Sequence, residues 1–334
     1  MISNINLKIV GYLLSAIFLY LAFKETDIKM VIQYLEYTNF LYIFISFFLI
    51  TAFYFFRSLY QQNNLRYLNS ELSFPISLQS VAIVYFFNSI LPARLGEIIR
   101  VFFLAKNANI SKVSIMSYIL LEKIIDVIFI FFILFIMIEI NSIAIDNSVK
   151  VLLILLFVSI IFIFIFIYFN KYLALLFKYI LPKKYHQAVS RINIDFHRGL
   201  NCFRSTEQVI KAIILLFIGW ILVMLAYYLV SLPYLELLGL PKYSFLYFFV
   251  FTALALAIPS APAGIGVVHY GLFLSVSVLN PNIVDTNIDL VAAFVISLHF
   301  FLYLIAIISS GFIILFQNWK YNFYDSLKSY YDND

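Results

Sequence analysis

The sequence predicts an all-α integral membrane protein with about six full spans and two re-entrant helical hairpins arranged as inverted repeats. Three observations predict it. Of 334 residues, 64% are hydrophobic and only 12% charged, where a soluble chain would hold about 45–50% and about 25%. Apolar runs recur at the ~20-residue length that crosses a bilayer as a helix. Two further apolar segments are interrupted by a Pro-Ala-x-apolar-Gly sequence at corresponding places in the two halves.

The first span is Leu7–Phe23. No small-residue cleavage site precedes Lys24, so it reads as a retained helix rather than a signal peptide. Phe40–Phe56 follows. The first interrupted segment runs Leu78–Leu91, breaks over Pro92 to Glu97 and resumes as Ile98–Ala105. Val113–Ile138, Val151–Phe169 and Ala212–Val230 are continuous. The second interrupted segment runs Phe245–Ile258, breaks over Pro259 to Gly266 and resumes as Val267–Leu279. Leu290–Phe316 is the last span. Proline ends a helix and glycine permits a tight reversal. Each limb is too short to cross alone, so both segments are expected to enter and leave on one side.

Charge placement fits that layout. With a cytoplasmic N-terminus and neither hairpin crossing, 17 basic residues lie inside against four outside, Lys24, Lys29, Lys150 and Lys242. Short inner loops carry the excess of Lys and Arg in membrane proteins. Counting the hairpins as full crossings restores a similar bias, so charge supports re-entry without settling it. The expectation is one transmembrane domain over 1–334, with a first repeat at 1–140, a second at 150–318 and a cytoplasmic tail at 319–334. Both termini face the cytoplasm, and the membrane is the plasma (inner) membrane. A linker at 170–211 places Tyr185, Val189, Ile192, Phe196, Leu200 and Phe203 at helical spacing, opposite Arg191, Arg198 and Arg204. Such a basic amphipathic helix suits an anionic leaflet, or serves as a brace between the repeats.

Several chemistries are not indicated. One cysteine, Cys202, gives neither a disulfide framework nor a multi-Cys metal site, and four scattered histidines give no zinc signature. No nucleophile elbow or phosphate-binding loop is present. No catalytic residue, metal, cofactor or nucleic acid is therefore expected. The expected partners are membrane lipids, with a second copy of the chain or a soluble lipid-modifying enzyme beside them.

The first break gathers Asn88, Pro92, Arg94, Gly96, Glu97 and Arg100. Arg94, Glu97 and Arg100, three apart, are expected to share one face of the returning helix. Paired arginines beside a helix N-terminus suit a phosphate. Alternatively, Glu97 only neutralises them. Glu122 and Asp126 share a helix face and suit a proton or cation relay, or a structural bridge to Arg94 or Arg100. Lys123, about 100° round the helix, is expected not to serve both. In the second break, Pro259 and Pro262 hold the chain extended. Gly264 and Gly266 are expected to leave amides open for a head group, or to allow close packing. His269 follows the break and His299 lies inside the last span, as relay or packing residues.

Leu91-Pro92-Ala93-Arg94-Leu95-Gly96-Glu97-Ile98-Ile99-Arg100, Leu121-Glu122-Lys123-Ile124-Ile125-Asp126 and Pro262-Ala263-Gly264-Ile265-Gly266 together resemble the transmembrane region of lysylphosphatidylglycerol synthase/flippases. The resemblance covers nearly the whole chain. It implies re-entrant helices around a cavity that moves a lipid head group between leaflets, and it carries functional expectation onto Arg94, Glu97, Arg100, Glu122 and Asp126. Lys123 stands where the family usually has Arg, Ala263 replaces the first of two glycines, and His269 stands where Glu is common. The resemblance implies a stand-alone member without the soluble synthase domain. The expected function is translocation of an anionic, aminoacylated or polyprenyl-linked lipid. The alternative is a membrane-embedded enzyme or subunit of lipid-linked glycan or glycolipid synthesis.

Overall fold

The computed structural model describes residues 2–141, 180, 182–202, 205–258 and 260–331. The predicted span Val151–Phe169, the start of the linker, Phe203, Arg204 and Pro259 lie outside them. Among the described residues the chain is all-helical. Its α-helices are α1 (Ile2–Phe23), α2 (Ile28–Leu35), α3 (Phe40–Leu65), α4 (Phe74–Ile90), α5 (Leu95–Asn107), α6 (Lys112–Asn141), α7 (His186–Leu200), α8 (Thr206–Leu235), α9 (Phe245–Ala255), α10 (Val267–Leu279), α11 (Pro281–Thr286) and α12 (Ile288–Tyr331). Among the described residues, four stretches are long and apolar enough to cross a membrane: Phe40–Leu65, Thr206–Leu235, Pro262–Leu279 and Ile288–Gln317. Tyr12–Phe23, Phe74–Ile90 and Lys242–Ala255 are apolar but shorter. Pro262–Leu279 thus reaches span length only when the turn before α10 is counted with it.

The side chains sort as a lipid environment demands. On α3, Phe40, Phe44, Phe48 and Phe55 are exposed, while Ser46, Ser58, Gln61 and Asn64 are fully buried. Apolar tails solvate the phenylalanines, so the polar groups gain only by turning inward. The serines are satisfied locally: Ser46 and Ser58 donate to carbonyls one turn back, at 2.7 and 2.6 Å, a bond that leaves the helix intact.

Contacts divide the chain into two compact units, interleaved in sequence. The first holds 1–63, 72–103 and 210–334. Its core is aromatic, with Phe294 ring-packed on Phe248 at 4.7 Å and on Tyr234 at 5.7 Å. Ala292 and Ala293, both fully buried, let neighbouring helices approach α12 closely. The short helix α2 is pinned to the start of α12, where the Asp27 amide donates to Asp289 Oδ1 at 2.7 Å and Asn287 donates to the Tyr34 hydroxyl at 3.1 Å.

The second unit holds 64–71 and 104–209, and there α7 packs along α6. The predicted linker helix forms at His186–Leu200, with Val189, Phe196 and Leu200 of its apolar stripe half-buried and Arg191 and Arg198 exposed. Tyr185 and Ile192 are exposed, and the close contact is at Gly199. Ser114 donates to the Asp195 carbonyl at 2.7 Å, and a Cβ on Gly199 would lie 2.0 Å from the Ser114 carbonyl oxygen. Gly199→Ala is therefore expected to lift α7 off α6 at a cost of about 1–3 kcal/mol, the range of overpacking. Faster hydrogen exchange confined to α7 would register it.

Candidate functional site

The first break is shorter than its sequence suggested. Leu91 leaves α4 in an extended conformation, Pro92–Arg94 form one 3₁₀ turn, and α5 starts at Leu95. Arg94 adopts φ 53°, in the left-handed region. It therefore does not share a helix face with Glu97 and Arg100, because the helical register begins only after it. Asn88 and Gly96 hold the reversal. The Gly96 amide donates to Asn88 Oδ1 at 2.9 Å, and a Cβ on Gly96 would lie 2.6 Å from both that oxygen and the Val84 carbonyl.

The second break repeats the scheme with a 3₁₀ turn at Pro262–Gly264. Ala263, Gly264 and Gly266 all have positive φ, 58°, 73° and 88°. The amides expected to stay open are engaged. Gly264 N–H donates to the Ala261 carbonyl at 3.0 Å, and Gly266 N–H to His269 Nδ1 at 3.2 Å. A tight turn closes on its own carbonyls before any ligand is considered. The segment is tied to α1, where the Ala261 amide donates to Ser15 Oγ at 2.8 Å.

The two breaks meet inside the first unit, with the turn Pro92–Arg94 and the end of α4 packed on the turn Pro262–Gly264. Arg94, exposed, donates from its guanidinium to the carbonyl of Leu256, the residue that closes α9. A cation at a helix C-terminus meets the negative end of the helix dipole. His299 also reaches the second break, with Nε2 3.1 Å from the Ala263 carbonyl and Nδ1 3.3 Å from His269 Nε2.

Arg100 is placed differently from Arg94. It is 2% exposed, and its guanidinium donates through Nε to Gln61 Oε1 at 3.0 Å. It also faces Glu97 at 3.6 Å. Gln61 in turn donates to Ser77 and Ser80, each at 3.1 Å. Arg100 is thus the hub of a buried network joining α3, α4 and α5. The sequence reading missed Gln61 because it ended the second span at Phe56, whereas α3 continues to Leu65. The available signal was helical spacing: Arg57, Gln61 and Leu65 are four apart, and all three are buried.

Glu122 and Asp126 belong to the second unit, on α6. Glu122 is buried and accepts from the Tyr118 hydroxyl at 2.8 Å. Lys123 lies 3.9 Å from Glu122 and 4.0 Å from Asp126. This corrects the expectation that Lys123 cannot serve both acids, since its four-carbon stem spans the angular offset of its Cα.

The segregation of side chains and the two interrupted apolar segments define a multi-pass helical membrane protein. The chain belongs to the family of the lysylphosphatidylglycerol synthase TM region, whose sequence model matches residues 8–310. No curated protein and no solved structure matches it.

Proposed function

We propose that the protein is a flippase-like translocator that moves a lipid with an anionic head group between leaflets, with Arg94 as the cation that meets the phosphate. The observation that carries this reading is the meeting of two broken helices with an exposed arginine at the junction. Broken membrane helices in corresponding positions are the usual site of a transporter's substrate, and membership in the family supports a lipid-related role. The two segments are read as re-entrant hairpins of inverted repeats in the plasma (inner) membrane, with both termini inside. Arg100 and Glu97 position the first hairpin. Glu122, Asp126 and His299 serve as proton or cation sites. Aminoacylated and polyprenyl-linked lipids carry the same phosphate and remain in the substrate class.

Reconstitution in liposomes with a fluorescent anionic phospholipid tests this. A charge-assisted hydrogen bond contributes about 1.5–3 kcal/mol, so Arg94→Ala should slow transbilayer movement at least about tenfold. The double variant Arg94→Ala, Asp126→Ala should be slower still. Unchanged movement in the double variant would mean that neither residue is needed for it. Product formation by the purified protein with lipid and an activated donor would instead identify an enzyme of lipid-linked synthesis.

A further inference from the structure

Around the second break, three hydrogen bonds run head to tail through two imidazoles, from Gly266 N–H to His269 Nδ1, from His269 Nε2 to His299 Nδ1, and from His299 Nε2 to the Ala263 carbonyl, at 3.2, 3.3 and 3.1 Å. The ends of this chain fix everything between them. A backbone N–H can only donate, so His269 Nδ1 must accept and its proton must sit on Nε2. A carbonyl can only accept, so His299 must carry its proton on Nε2 and accept at Nδ1. Each neutral ring has one donor and one acceptor, so two neutral Nε2–H tautomers complete the chain without a spare proton or a vacant lone pair.

We propose that the His269–His299 pair is a proton-binding site that acts as a clasp on the second break. It is closed when both rings are neutral and opened by one added proton. The added proton takes the lone pair of an Nδ1. On His269 it sets N–H against the Gly266 N–H. On His299 it sets N–H against the Nε2–H of His269. Either way one link is lost and becomes a donor–donor contact, whichever ring is protonated. The clasp is present at high pH and lost as pH falls. It holds a strained segment, because Ala263 sits at φ 58°, where a Cβ is disfavoured by about 1–2 kcal/mol. His299 keeps the Ala263 carbonyl in either case, but its ring is no longer tied through His269 to Gly266, so the two ends of that turn can move apart.

The surroundings leave the added charge to the pair alone. Phe23 of α1 meets His269 edge-on at 5.4 Å, and Tyr303 lies 6.3 Å from His299 with its hydroxyl on the Ser89 carbonyl. Arg94 is engaged by Leu256. The other titratable groups on the packed helices include Tyr12 and Tyr20 of α1, Tyr85 of α4, Tyr247 of α9, Asp285 of α11 and Lys29 and Tyr34 of α2. Among the described residues, none of these hydrogen-bonds or ion-pairs with either ring. Among the described residues no carboxylate bonds either ring, so protonation acts by rearranging the break.

The link from this clasp to lipid movement rests on the proposed function, but the clasp itself is read without any lipid substrate. Two measurements on the full chain in lipid nanodiscs decide it. Ring ¹⁵N NMR on a chain carrying His186→Gln and His197→Gln leaves only the pair visible. Both rings should show the neutral Nε2–H tautomer at pH 8, and the pattern should be lost on acidification. A nitroxide on Ala261→Cys reports the break. Cys202 is buried, and burial pushes its thiol up to about 12, so labelling is selective. The mobile fraction of the label should at least double between pH 8 and pH 3, and the double variant His269→Gln, His299→Gln should abolish the transition. An Nδ1–H tautomer at pH 8, no transition in the parent chain, or an unchanged transition in the double variant His269→Gln, His299→Gln would each overturn the proposal. Abolished lipid movement with an intact transition would count against the proposed function and leave the clasp standing.

Discussion

Arg100→Ala is expected to destabilise the protein by about 3–5 kcal/mol, the loss seen when one partner of a buried pair is removed. The effect is large because two dependants are stranded together. Gln61, fully buried, loses the guanidinium donors to its Oε1 and keeps the Ser80 hydroxyl at 3.2 Å, and Glu97, 3.6 Å from the guanidinium, loses that cationic neighbour. Desolvating an unmatched carboxylate is costly in a low dielectric. Two controls separate these contributions. Glu97→Gln in the Arg100→Ala background removes the carboxylate charge that had faced Arg100 and should recover part of the loss. Arg100→Lys keeps the charge but loses the planar fork that holds Gln61, so it should fall between the two. Thermal unfolding in one detergent, compared across the four chains, checks the order. Equal stability of Arg100→Ala and the parent would mean that the network does not hold α3, α4 and α5 together. The same test distinguishes the two arginines near the first break, because Arg94→Ala removes an exposed group and should leave stability nearly unchanged.

That difference between Arg94 and Arg100 was not legible in the sequence, although both breaks were. Proline and glycine announce a reversal whatever surrounds them, so Pro92, Gly96 and Pro262 marked the turns from composition alone. The regular spacing of Arg94, Glu97 and Arg100 suggested one face because spacing assumes that the helix is already running. The turn instead spends Arg94 at φ 53°, and only tertiary packing decides where a helix restarts. The polar run from Arg57 to Asn64 was misleading in another way. Polar residues after an apolar run normally mark the interface, but here they stay helical and buried among Ser77 and Ser80, a partnership made by a different segment. The open amides expected of Gly264 and Gly266 failed for a local reason, since a side chain three residues on reaches back to Gly266. His269 sits where a Glu or Gln of a capping box would accept that amide. The Glu common at this place in the family pattern could make the same bond. What a Glu there could not reproduce is the second nitrogen, which passes the chain on to His299.

Gly266→Ala is expected to be the most damaging change in the second break, because two penalties coincide. Its φ of 88° with ψ −66° is open to glycine and strained for other residues, which by itself costs about 1–3 kcal/mol. A Cβ would also lie 2.2 Å from the Ser15 carbonyl oxygen, with two further Ser15 backbone atoms at 2.9 Å. Backbone of a neighbouring helix has no rotamer to yield, so α1 or the break must move, adding about 1–3 kcal/mol. Gly239→Ala is the comparison, a positive-φ glycine without backbone against its missing Cβ, although the Asn280 amide beside it holds the Leu238 carbonyl at 3.0 Å. That residue also has positive φ, 62°, but its nearest obstacle is the Asn280 side-chain amide at 3.3 Å, which can swing away. The expected result is a modest loss for Gly239→Ala and a loss about two to three times larger for Gly266→Ala, read by thermal unfolding under identical conditions. Equal losses would mean that backbone strain alone acts and that α1 does not brace the break. A larger loss at Gly266 places α1 beside the site: Ser15, which accepts the Ala261 amide, and the adjoining carbonyl then form the fixed wall against which the His269–His299 clasp opens.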